Sequence, residues 1–445
     1  RKAVKMKVGF VSLGCSKNLV DTEKTIKLFK DHDFDIVPNP DEADIIVINT
    51  CGFIEAAKEE AINTILEMAE YKDRNCKYII VMGCLVQRYK SELEKTLPEV
   101  DLFIKYDEYD LIWDKINRLI NIDKAVEEKR NIINFDELQD RVITTGENYA
   151  YLKIADGCSN RCTFCAIPNI RGPFKSRKME SIIEEAKKLA DEGYKEIILI
   201  AQDTTKYGID LYGKPKLTEL LKKLCKIDKI KWIRFLYAYP ETIDNNLIKV
   251  VKKKDKICKY FDIPIQHISN TVLKRMNRQS NEESIKELIT KIRKEIPNAI
   301  IRTTVMVGFP GETEEDFNKL YNFIKEAKFD KLGAFSYSKE EGTPAARLKE
   351  QIHPKTKKSR YNKIMELQKE ISNENLNKYI GKELEVMIEE KTTDGKYYIC
   401  RSYMDVPEID GLIYLKNSKN LKSGDFVKCT IKSSANEYDL MGEIV

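Results

Sequence analysis

The fold of this 445-residue chain is decided by Tyr151-Leu152-Lys153-Ile154-Ala155 and the nearby run Cys158-Ser159-Asn160-Arg161-Cys162-Thr163-Phe164-Cys165. The first segment predicts a buried strand. The C-x3-C-x2-C run follows it at the strand's carboxyl end, where βα barrels place their chemistry. Three thiolates in one loop can hold three irons of a 4Fe–4S cluster and leave the fourth iron open. A zinc site is the alternative, but structural zinc requires four ligands and no fourth lies nearby in the sequence.

From this segment onward, six strand patterns alternate with helical patterns, among them Ser181–Glu192 and Glu312–Ala327. A lysine-rich helix over Pro354–Asn377 follows the last strand. The six units predict a partial (βα)6 barrel of the TIM type over residues 144–376. An open six-stranded sheet is the alternative, because periodicity does not separate the two. The predicted strands are Tyr151–Ala155, Glu196–Ala201, Trp232–Ala238, Phe261–Gln266, Ile300–Val307 and Leu332–Tyr337.

The N-terminal 122 residues also alternate strand and helix. Continuous apolar strands between helices predict a parallel sheet that is covered on both faces, and hence a small doubly wound α/β domain over residues 1–122. Residues 123–143 are charged and show no clear period, so we interpret them as a connector. The predicted elements are strands Val8–Leu13, Asp44–Asn49 and Tyr78–Met82 and helices Asp21–Asp31, Glu55–Tyr71 and Ser91–Thr96.

Residues 377–445 change character and predict only short strands separated by turn signals such as Asp394-Gly395 and Ser423-Gly424-Asp425. Their number predicts a small OB-like β barrel. The predicted strands are Glu383–Glu389, Tyr397–Arg401, Gly411–Leu415, Asp425–Ile431 and Tyr438–Ile444.

A second set of cysteines, Cys15, Cys51 and Cys84, lies far apart in the sequence. Each follows one of the three predicted N-terminal strands, and parallel strands end at one edge of a sheet, so the thiols can converge there. A glycine beside each cysteine would let the backbone approach a bulky cluster. The alternative is three buried packing cysteines. We favour a second metal site, again with three ligands. The other five cysteines share no ligand spacing.

Composition narrows the class of protein. The net charge of +5, from 77 basic and 72 acidic residues, neither demands nor excludes nucleic acid. No apolar run approaches the ~20 residues of a membrane helix. Residues 1–10 hold no signal-peptide core, so a cytoplasmic location without membrane contact is expected. Eleven cysteines in such a chain favour metal ligation or reactive thiols over disulfides.

Weaker signals cluster at the predicted functional face of the barrel. Val307–Thr313 is a strand-to-helix turn with two glycines, and its bland interpretation is a tight turn with a helix cap. His267 ends a strand and is equally consistent with a structural histidine. Arg171–Arg177 places three cations after the cysteine loop, which either bind an anionic group or form a solvated surface. Gln202-Asp203 ends the second barrel strand, where it could hold an amino or hydroxyl group.

These motifs together resemble the radical S-adenosylmethionine methylthiotransferases over essentially the whole chain. In that family the downstream β domain is a TRAM domain. The motifs are similar to those of the RimO-type branch, which modifies an aspartate on the twelfth protein of the small ribosomal subunit. The tRNA-modifying, MiaB-type branch usually carries Gln-Asn where Gln202-Asp203 stands here. The motifs are Ser12–Asn18, Gly157–Cys162, Ala166–Pro168, Gln202–Thr205 and Pro264–Ser269.

The resemblance implies that two 4Fe–4S clusters are bound by the two cysteine sets. The cluster on Cys158, Cys162 and Cys165 would cleave S-adenosylmethionine to a radical that removes hydrogen from the β-carbon of the aspartate. The cluster on Cys15, Cys51 and Cys84 would present sulfur, and a second S-adenosylmethionine would supply the methyl group. An external electron donor and a sulfur source are implied, and no catalytic residue beyond the cluster ligands. The candidate contacts to S-adenosylmethionine are Phe164, Arg171, Gln202, Asp203, Gln266, Gly308 and Glu312.

Charge bears on the choice between the two substrates. Residues 377–445 carry ten Lys and Arg against twelve Asp and Glu, a net charge of −2. A domain that grips RNA should present a basic surface, whereas a slightly acidic one suits a basic protein loop. Contact with RNA is therefore possible but not required. A tRNA methylthiotransferase, a radical enzyme with one cluster and a non-catalytic RNA-binding or zinc protein remain the alternatives.

Overall fold

The computed structural model describes residues 5–121, 132–416 and 420–445. The first nine residues of the predicted connector, 123–131, lie outside the described residues. Within the described ranges, no helix is long and apolar enough to cross a membrane.

The N-terminal elements form a five-stranded, wholly parallel sheet. They are β1 (Lys7–Ser12), α1 (Ser16–Asp31), β2 (Asp35–Ile36), β3 (Ile45–Thr50), α2 (Glu55–Ala69), β4 (Tyr78–Gly83), α3 (Cys84–Thr96), β5 (Leu102–Lys105) and α4 (Ile112–Ile120). The strand order is β2-β1-β3-β4-β5.

Both faces of this sheet are buried, which explains its continuous apolar strands. Ile45 and Val47 pack with Phe29 of α1 on one face, whereas Ile46 and Ile48 pack with α2 and α3 on the other. The predicted doubly wound α/β domain is therefore confirmed. The helix predicted over Ser91–Thr96 instead begins at Cys84, and the short strands β2 and β5 were not predicted.

The central part contains six parallel strands, a short antiparallel pair of two-residue strands, and their helices. They are β6 (Tyr149–Lys153), β7 (Ala155–Asp156), α5 (Ile167–Arg171), β8 (Lys175–Ser176), α6 (Met179–Glu192), β9 (Glu196–Ile200), α7 (Ile209–Tyr212), α8 (Leu217–Leu224), β10 (Trp232–Phe235), α9 (Asn245–Lys253), β11 (Tyr260–Asp262), α10 (Asn270–Arg275), α11 (Glu282–Glu295), β12 (Ile300–Val307), α12 (Glu314–Ala327), β13 (Lys331–Ser336) and α13 (Pro354–Asn377).

The strands follow one another in chain order, with β6, β9 and β10 in one ladder and β11, β12 and β13 in the next. A bridge between Ile233 and Ile257, and a hydrogen bond of 2.9 Å from Ala238 N–H to the Asp262 carbonyl, join the two ladders. One strand face, including Ile197 and Leu199, packs against the helices. Chain order with one helical layer is an incomplete barrel, so the barrel prediction is confirmed over the open sheet.

The C-terminal strands are β14 (Glu383–Lys391), β15 (Tyr397–Ser402), β16 (Ile413–Lys416), β17 (Phe426–Ser434) and β18 (Leu440–Ile444). They close into a five-stranded barrel in the order β14-β15-β16-β18-β17, as the strand count predicted. This β domain docks on the first residues of β9 and β10. There the Arg401 guanidinium lies 2.7 Å from the Glu196 carboxylate, and the Trp232 and Phe426 rings meet edge to face at 5.0 Å.

Candidate functional site

The loop with Cys158, Cys162 and Cys165 follows β7 and is fixed by backbone hydrogen bonds. Cys158 N–H donates to the Gly172 carbonyl at 3.1 Å, and Cys165 N–H donates to the Cys162 carbonyl at 3.0 Å. From the end of α10, the Met276 carbonyl accepts the Thr163 N–H at 3.0 Å. The three thiols are therefore carried on a short, anchored turn at the carboxyl end of the first barrel strand.

The surroundings of these thiols favour the neutral form. Burial raises the pKa of Cys158, and it raises the pKa of Cys165 to about 12, with neighbouring thiols adding to both shifts. The Arg278 guanidinium is a nearby positive group, with Nη1 3.8 Å from the Cys162 sulfur, and Lys206 opposes the rise in the pKa of Cys158. A metal ligand must be a thiolate, so binding of a cation here would release protons.

Cys15, Cys51 and Cys84 meet at the carboxyl edge of the N-terminal sheet. A Cβ built on Gly14 would lie 2.6 Å from the Cys51 Cβ and 3.1 Å from its sulfur. A Cβ on Gly52 would lie 3.3 Å from the carbonyl carbon of Cys84. The glycines thus let the three cysteine-bearing loops, which follow β1, β3 and β4, touch one another.

Asn18, in the first turns of α1, ties these three loops together. Its side-chain Nδ2 donates to the carbonyls of Leu13 and Thr50, both at 3.0 Å. Its Oδ1 lies 3.7 Å from the Cys84 sulfur. Asn18 is fully buried, so these contacts are made away from water. One carboxamide therefore positions the strand ends that carry all three cysteines.

The pKa values of the thiols in the N-terminal set are shifted in different directions. Burial alone would raise the pKa of the Cys15 thiol, but Lys17 and Arg171 outweigh it and lower that pKa below its ordinary value. Burial raises the pKa of Cys84 to about 12, against the opposing charge of Arg171. Cations near this set therefore favour the thiolate that a metal needs.

Arg171 joins the two cysteine sets across the domain interface. Its Nη1 donates to Asp156 at 2.6 Å, and its Nη2 lies 3.1 Å from Asp21 of α1 and also donates to the Asn18 side chain. Lys153 completes the buried network, 2.6 Å from Asp21 and 2.8 Å from Asp156. Because Asp156 lies two residues before Cys158, this network connects the cysteine loop of the barrel to the N-terminal thiols.

The two polar residues that end β9 are both bonded to the cysteine segment. Gln202 Nε2 donates to Asp156 at 2.8 Å, and the Asp203 carboxylate accepts from Asn160 at 2.9 Å. Burial raises the pKa of Asp203 despite these hydrogen bonds. Among the residues that the structure describes, the buried Gln202 Oε1 has no hydrogen-bond partner, so this side chain retains an unused acceptor.

The turn after β12 is closed by the carboxylate of Glu312, which belongs to the same turn. Gly308 N–H donates to the Glu312 carboxylate at 2.7 Å, and Arg360 of α13 donates to the other oxygen at 2.8 Å. The Phe164 ring, from the cysteine loop, meets Phe309 of this turn edge to face at 6.5 Å. The structure therefore brings Phe164, Gly308 and Glu312 to one side of the cysteine loop.

Gln266 lies on the neighbouring strand end, with a left-handed backbone (φ of 66°). Its N–H donates to the Thr304 carbonyl at 2.9 Å, and its carbonyl accepts from Met306 N–H at 2.7 Å. A strained residue held by two hydrogen bonds is typical of a functional position. Arg171, in contrast, lies at the domain interface with both Nη groups bonded.

Neither cysteine set forms a ready-made metal site. Within the described ranges, no group of three or more His, Cys, Asp or Glu side chains is arranged to hold a metal ion, and all eleven cysteines are free thiols. The donor type nevertheless fits an iron–sulfur cluster, because soft thiolates select it, and Gly14 and Gly52 let the backbones that carry the thiols pack closely. Neither set gains the fourth protein ligand that closed zinc sites require.

His267 is a buried structural histidine. Its Nδ1 accepts the Ser269 N–H at 3.0 Å, and its Nε2 lies 3.8 Å from Glu312, too far for a hydrogen bond. Burial lowers its pKa to about 3, with Asp316 opposing and Arg360 assisting the shift. The ring is therefore neutral at physiological pH.

This depressed pKa predicts acid sensitivity. Between pH 6.5 and 3 the unfolded chain binds a proton at His267 that the folded chain excludes, so stability falls as the pH drops. We expect a loss of about 2 kcal/mol between pH 7 and pH 5 from this residue. Urea unfolding at both pH values measures it. The His267→Asn variant, whose amide oxygen can accept the Ser269 N–H, should lose about 2 kcal/mol less stability between the two pH values. An equal loss of stability in both proteins would contradict the assignment of the acid sensitivity to His267.

Gly14→Ala tests the packing of the N-terminal set. The new Cβ would overlap Cys51, and the φ of +90° at this position disfavours any L side chain. After anaerobic reconstitution we expect the variant to lose iron from this set and to retain it in the barrel. Gly9→Ala, in the strand that precedes Gly14, is the control, because its Cβ meets Ala43 at an ordinary 3.4 Å. Full iron in Gly14→Ala would show that the close approach is not needed.

Four polar residues of the site were not predicted as site residues: Asn18, Asp21, Asp156 and Arg278. Asp21 and Arg278 carry no local sequence signal, because their partners in the site lie more than 100 residues away. Asn18 ends the motif Ser12–Asn18 and Asp156 stands two residues before a predicted ligand, so these two could have been found.

Comparison with known families divides the chain into three parts. Residues 7–105 match the Uncharacterized protein family UPF0004, residues 152–324 match the Radical SAM superfamily, and residues 380–445 match the TRAM domain. These segments correspond to the N-terminal sheet, the barrel with its cysteine loop and the closed β barrel.

Curated relatives match nearly the whole chain. A protein of Alkaliphilus oremlandii is 60% identical over 440 residues, covering 99% of each chain. One of Caldicellulosiruptor saccharolyticus is 52% identical over 442 residues, covering 99% of this chain and 100% of the relative. Both are named ribosomal protein uS12 methylthiotransferase RimO.

Solved structures share the fold at low identity. The radical S-adenosylmethionine methyltransferase TsrM of Kitasatospora setae, bound to cobalamin and a [4Fe-4S] cluster, has a TM-score of 0.57 and 12% identity, with 77% of each chain covered. The cobalamin-dependent radical enzyme OxsB has a TM-score of 0.52 and 13% identity, covering 81% of this chain and 56% of its own.

Proposed function

This chain belongs to the RimO family of radical S-adenosylmethionine methylthiotransferases, and from that membership we propose that it methylthiolates the β-carbon of an aspartate in ribosomal protein uS12. The observation that supports this most is the presence of two three-thiol sets joined through Arg171. In this proposal a second thiol set near the radical site carries the sulfur that is transferred, and Cys15, Cys51 and Cys84 would form that set.

The cofactors in this proposal are two 4Fe–4S clusters and S-adenosylmethionine, the latter as both radical source and methyl donor. When bound, they supply the one-electron chemistry that an unactivated C–H bond requires, because acid–base groups alone do not break such a bond at neutral pH. The chain's own residues bind the cofactors, orient the aspartate and exclude water. An electron donor and a sulfur source come from outside the chain.

For S-adenosylmethionine, we propose a site between the ends of β9, β11 and β12. Gln202 offers its unused acceptor there, and the Phe164 ring offers an apolar face next to Gly308. Asp203 and Glu312 are buried carboxylates that already accept hydrogen bonds from neighbouring residues. They would therefore hold the walls of the site in place as well as contact the ligand. We place Gln266 at its edge. Arg171 is proposed to act from the interface, through Asp156.

The decisive experiment counts iron and sulfide per chain after anaerobic reconstitution. The native protein should hold about eight irons, and a Cys158→Ala, Cys162→Ala, Cys165→Ala variant about four. About four irons falling to near zero would mean that the N-terminal thiols bind no cluster, and the proposal would fail.

The substrate is tested separately with the reconstituted native enzyme. A peptide containing the target aspartate of uS12 should gain a methylthio group that mass spectrometry detects. Methylthio-adenosine formed in tRNA, with an unmodified peptide, would instead favour a tRNA methylthiotransferase.

A further inference from the structure

Positive charge is concentrated in the second and third βα units of the barrel. Residues 214–259 carry fourteen Lys and Arg against five Asp and Glu, a net charge of +9. The whole chain has a net charge of only +5, so the rest of the molecule is net negative. Such an asymmetry is the electrostatic signature of a surface for a polyanion.

The charge lines an open groove of about 910 Å³ between α8 and α9. Its acidic residues are already occupied, since Glu219 pairs with Lys216 and Lys223, and Asp244 caps α9 by accepting the Leu247 N–H. All but one of the groove lysines are exposed, and in the described part of the chain none of these exposed ones has a carboxylate partner within 4 Å. The lysines are Lys214, Lys216, Lys222, Lys249, Lys253 and Lys254.

One end of the groove lies close to the cysteine loop. Thr205 and Thr242 form this end, and Thr205 donates to Asp203 at 2.6 Å. Asp203 in turn accepts from Asn160, which lies between Cys158 and Cys162. A polyanion bound in the groove would therefore reach the face of the barrel where the thiols are carried.

We propose that this groove binds the phosphate backbone of structured RNA. Lysines on both walls suit a phosphate chain laid between them, whereas a flat membrane surface would reach only the outer ones. Tyr212 is 39% exposed, and its ring centroid lies 5.9 Å from Nζ of the groove residue Lys216, so it offers a ring near the groove on which a base can stack. The β domain has a net charge of −2 over residues 377–445, so we do not expect it to bind the RNA backbone in place of the groove. Because the proposed substrate is a ribosomal protein, we assign the RNA to the ribosome. This assignment rests on the proposed function.

The test measures binding of a fluorescein-labelled hairpin from small-subunit ribosomal RNA to the full-length protein by fluorescence anisotropy across a salt series. Lys249→Glu/Lys253→Glu, one turn apart on α9, should weaken binding about tenfold or more and reduce the salt slope by about two. Lys187→Glu/Lys325→Glu changes the total charge equally on other exposed helices and should bind as the native protein does. Unchanged iron content in both variants verifies folding.

Equal binding by the native protein and the groove variant would overturn the proposal, as would equal loss in the control variant. Groove-dependent binding of anionic phosphatidylserine vesicles without binding of the hairpin would also overturn it. Stronger groove-dependent binding of tRNA than of the hairpin would overturn the assignment to the ribosome. The binding assay needs no reaction, so a failed methylthiolation assay with intact hairpin binding would count against the proposed function alone.

Discussion

Alanine at Cys15, Cys51 and Cys84 together is expected to abolish methylthiolation while leaving cleavage of S-adenosylmethionine intact. The cysteine loop of the barrel is anchored by Gly172 and Met276, so removing the N-terminal thiols leaves that loop in place. We expect the methylthiolated peptide to fall by at least about 10³-fold, as when a complete catalytic unit is removed. Mass spectrometry of the peptide and of 5′-deoxyadenosine, from one anaerobic reaction, measures both activities.

Cys225→Ala is the matched control, because Cys225 is a partly buried thiol that packs against the barrel core and belongs to neither set. It should retain both products. Peptide product from the triple variant at the native level would remove the N-terminal thiols from the reaction. Loss of 5′-deoxyadenosine as well would mean that the two thiol sets do not act separately.

The sequence predicted the architecture because the strands carry strong local signals. The first four residues of β3, Ile45 to Ile48, are all apolar, and that pattern requires cover on both sides. The short strands β2 and β5 were not predicted, because two and four residues are too few to show a clear pattern. The start of α3 was missed for a different reason: Gly83 turns the chain with a φ of +104° and no capping side chain marks the helix.

The thiols were predictable because each stands directly after a strand, where topology determines its neighbours. The groups between the two thiol sets were not. Asp21 and Arg171 are 150 residues apart and meet only when the N-terminal sheet docks on the barrel. Arg171 illustrates the limit, since a cation after a cysteine loop was interpreted as a ligand contact, whereas the structure places it between two buried carboxylates.

Arg171→Met is expected to destabilise the protein by about 3–5 kcal/mol, since it removes one partner from buried ion pairs. Asp21 and Asp156 would share only Lys153, and the Asn18 side chain would lose a donor. The native pairing is strong: burial alone would raise the pKa of Asp156, yet Arg171 and Lys153 hold it far below its usual value. Urea unfolding at pH 7 measures the loss.

Lys175→Met is the matched control, because this exposed lysine in the same segment makes one surface pair, 3.3 Å from Asp136, and should cost less than about 1 kcal/mol. Arg171→Lys separates charge from geometry. A single ammonium group can replace the charge but not the fork that reaches Asp156, Asp21 and Asn18 together. We therefore expect Arg171→Lys to recover part of the stability yet bind less iron than the native chain. Native iron content and stability in Arg171→Lys would reduce the role of Arg171 to charge alone.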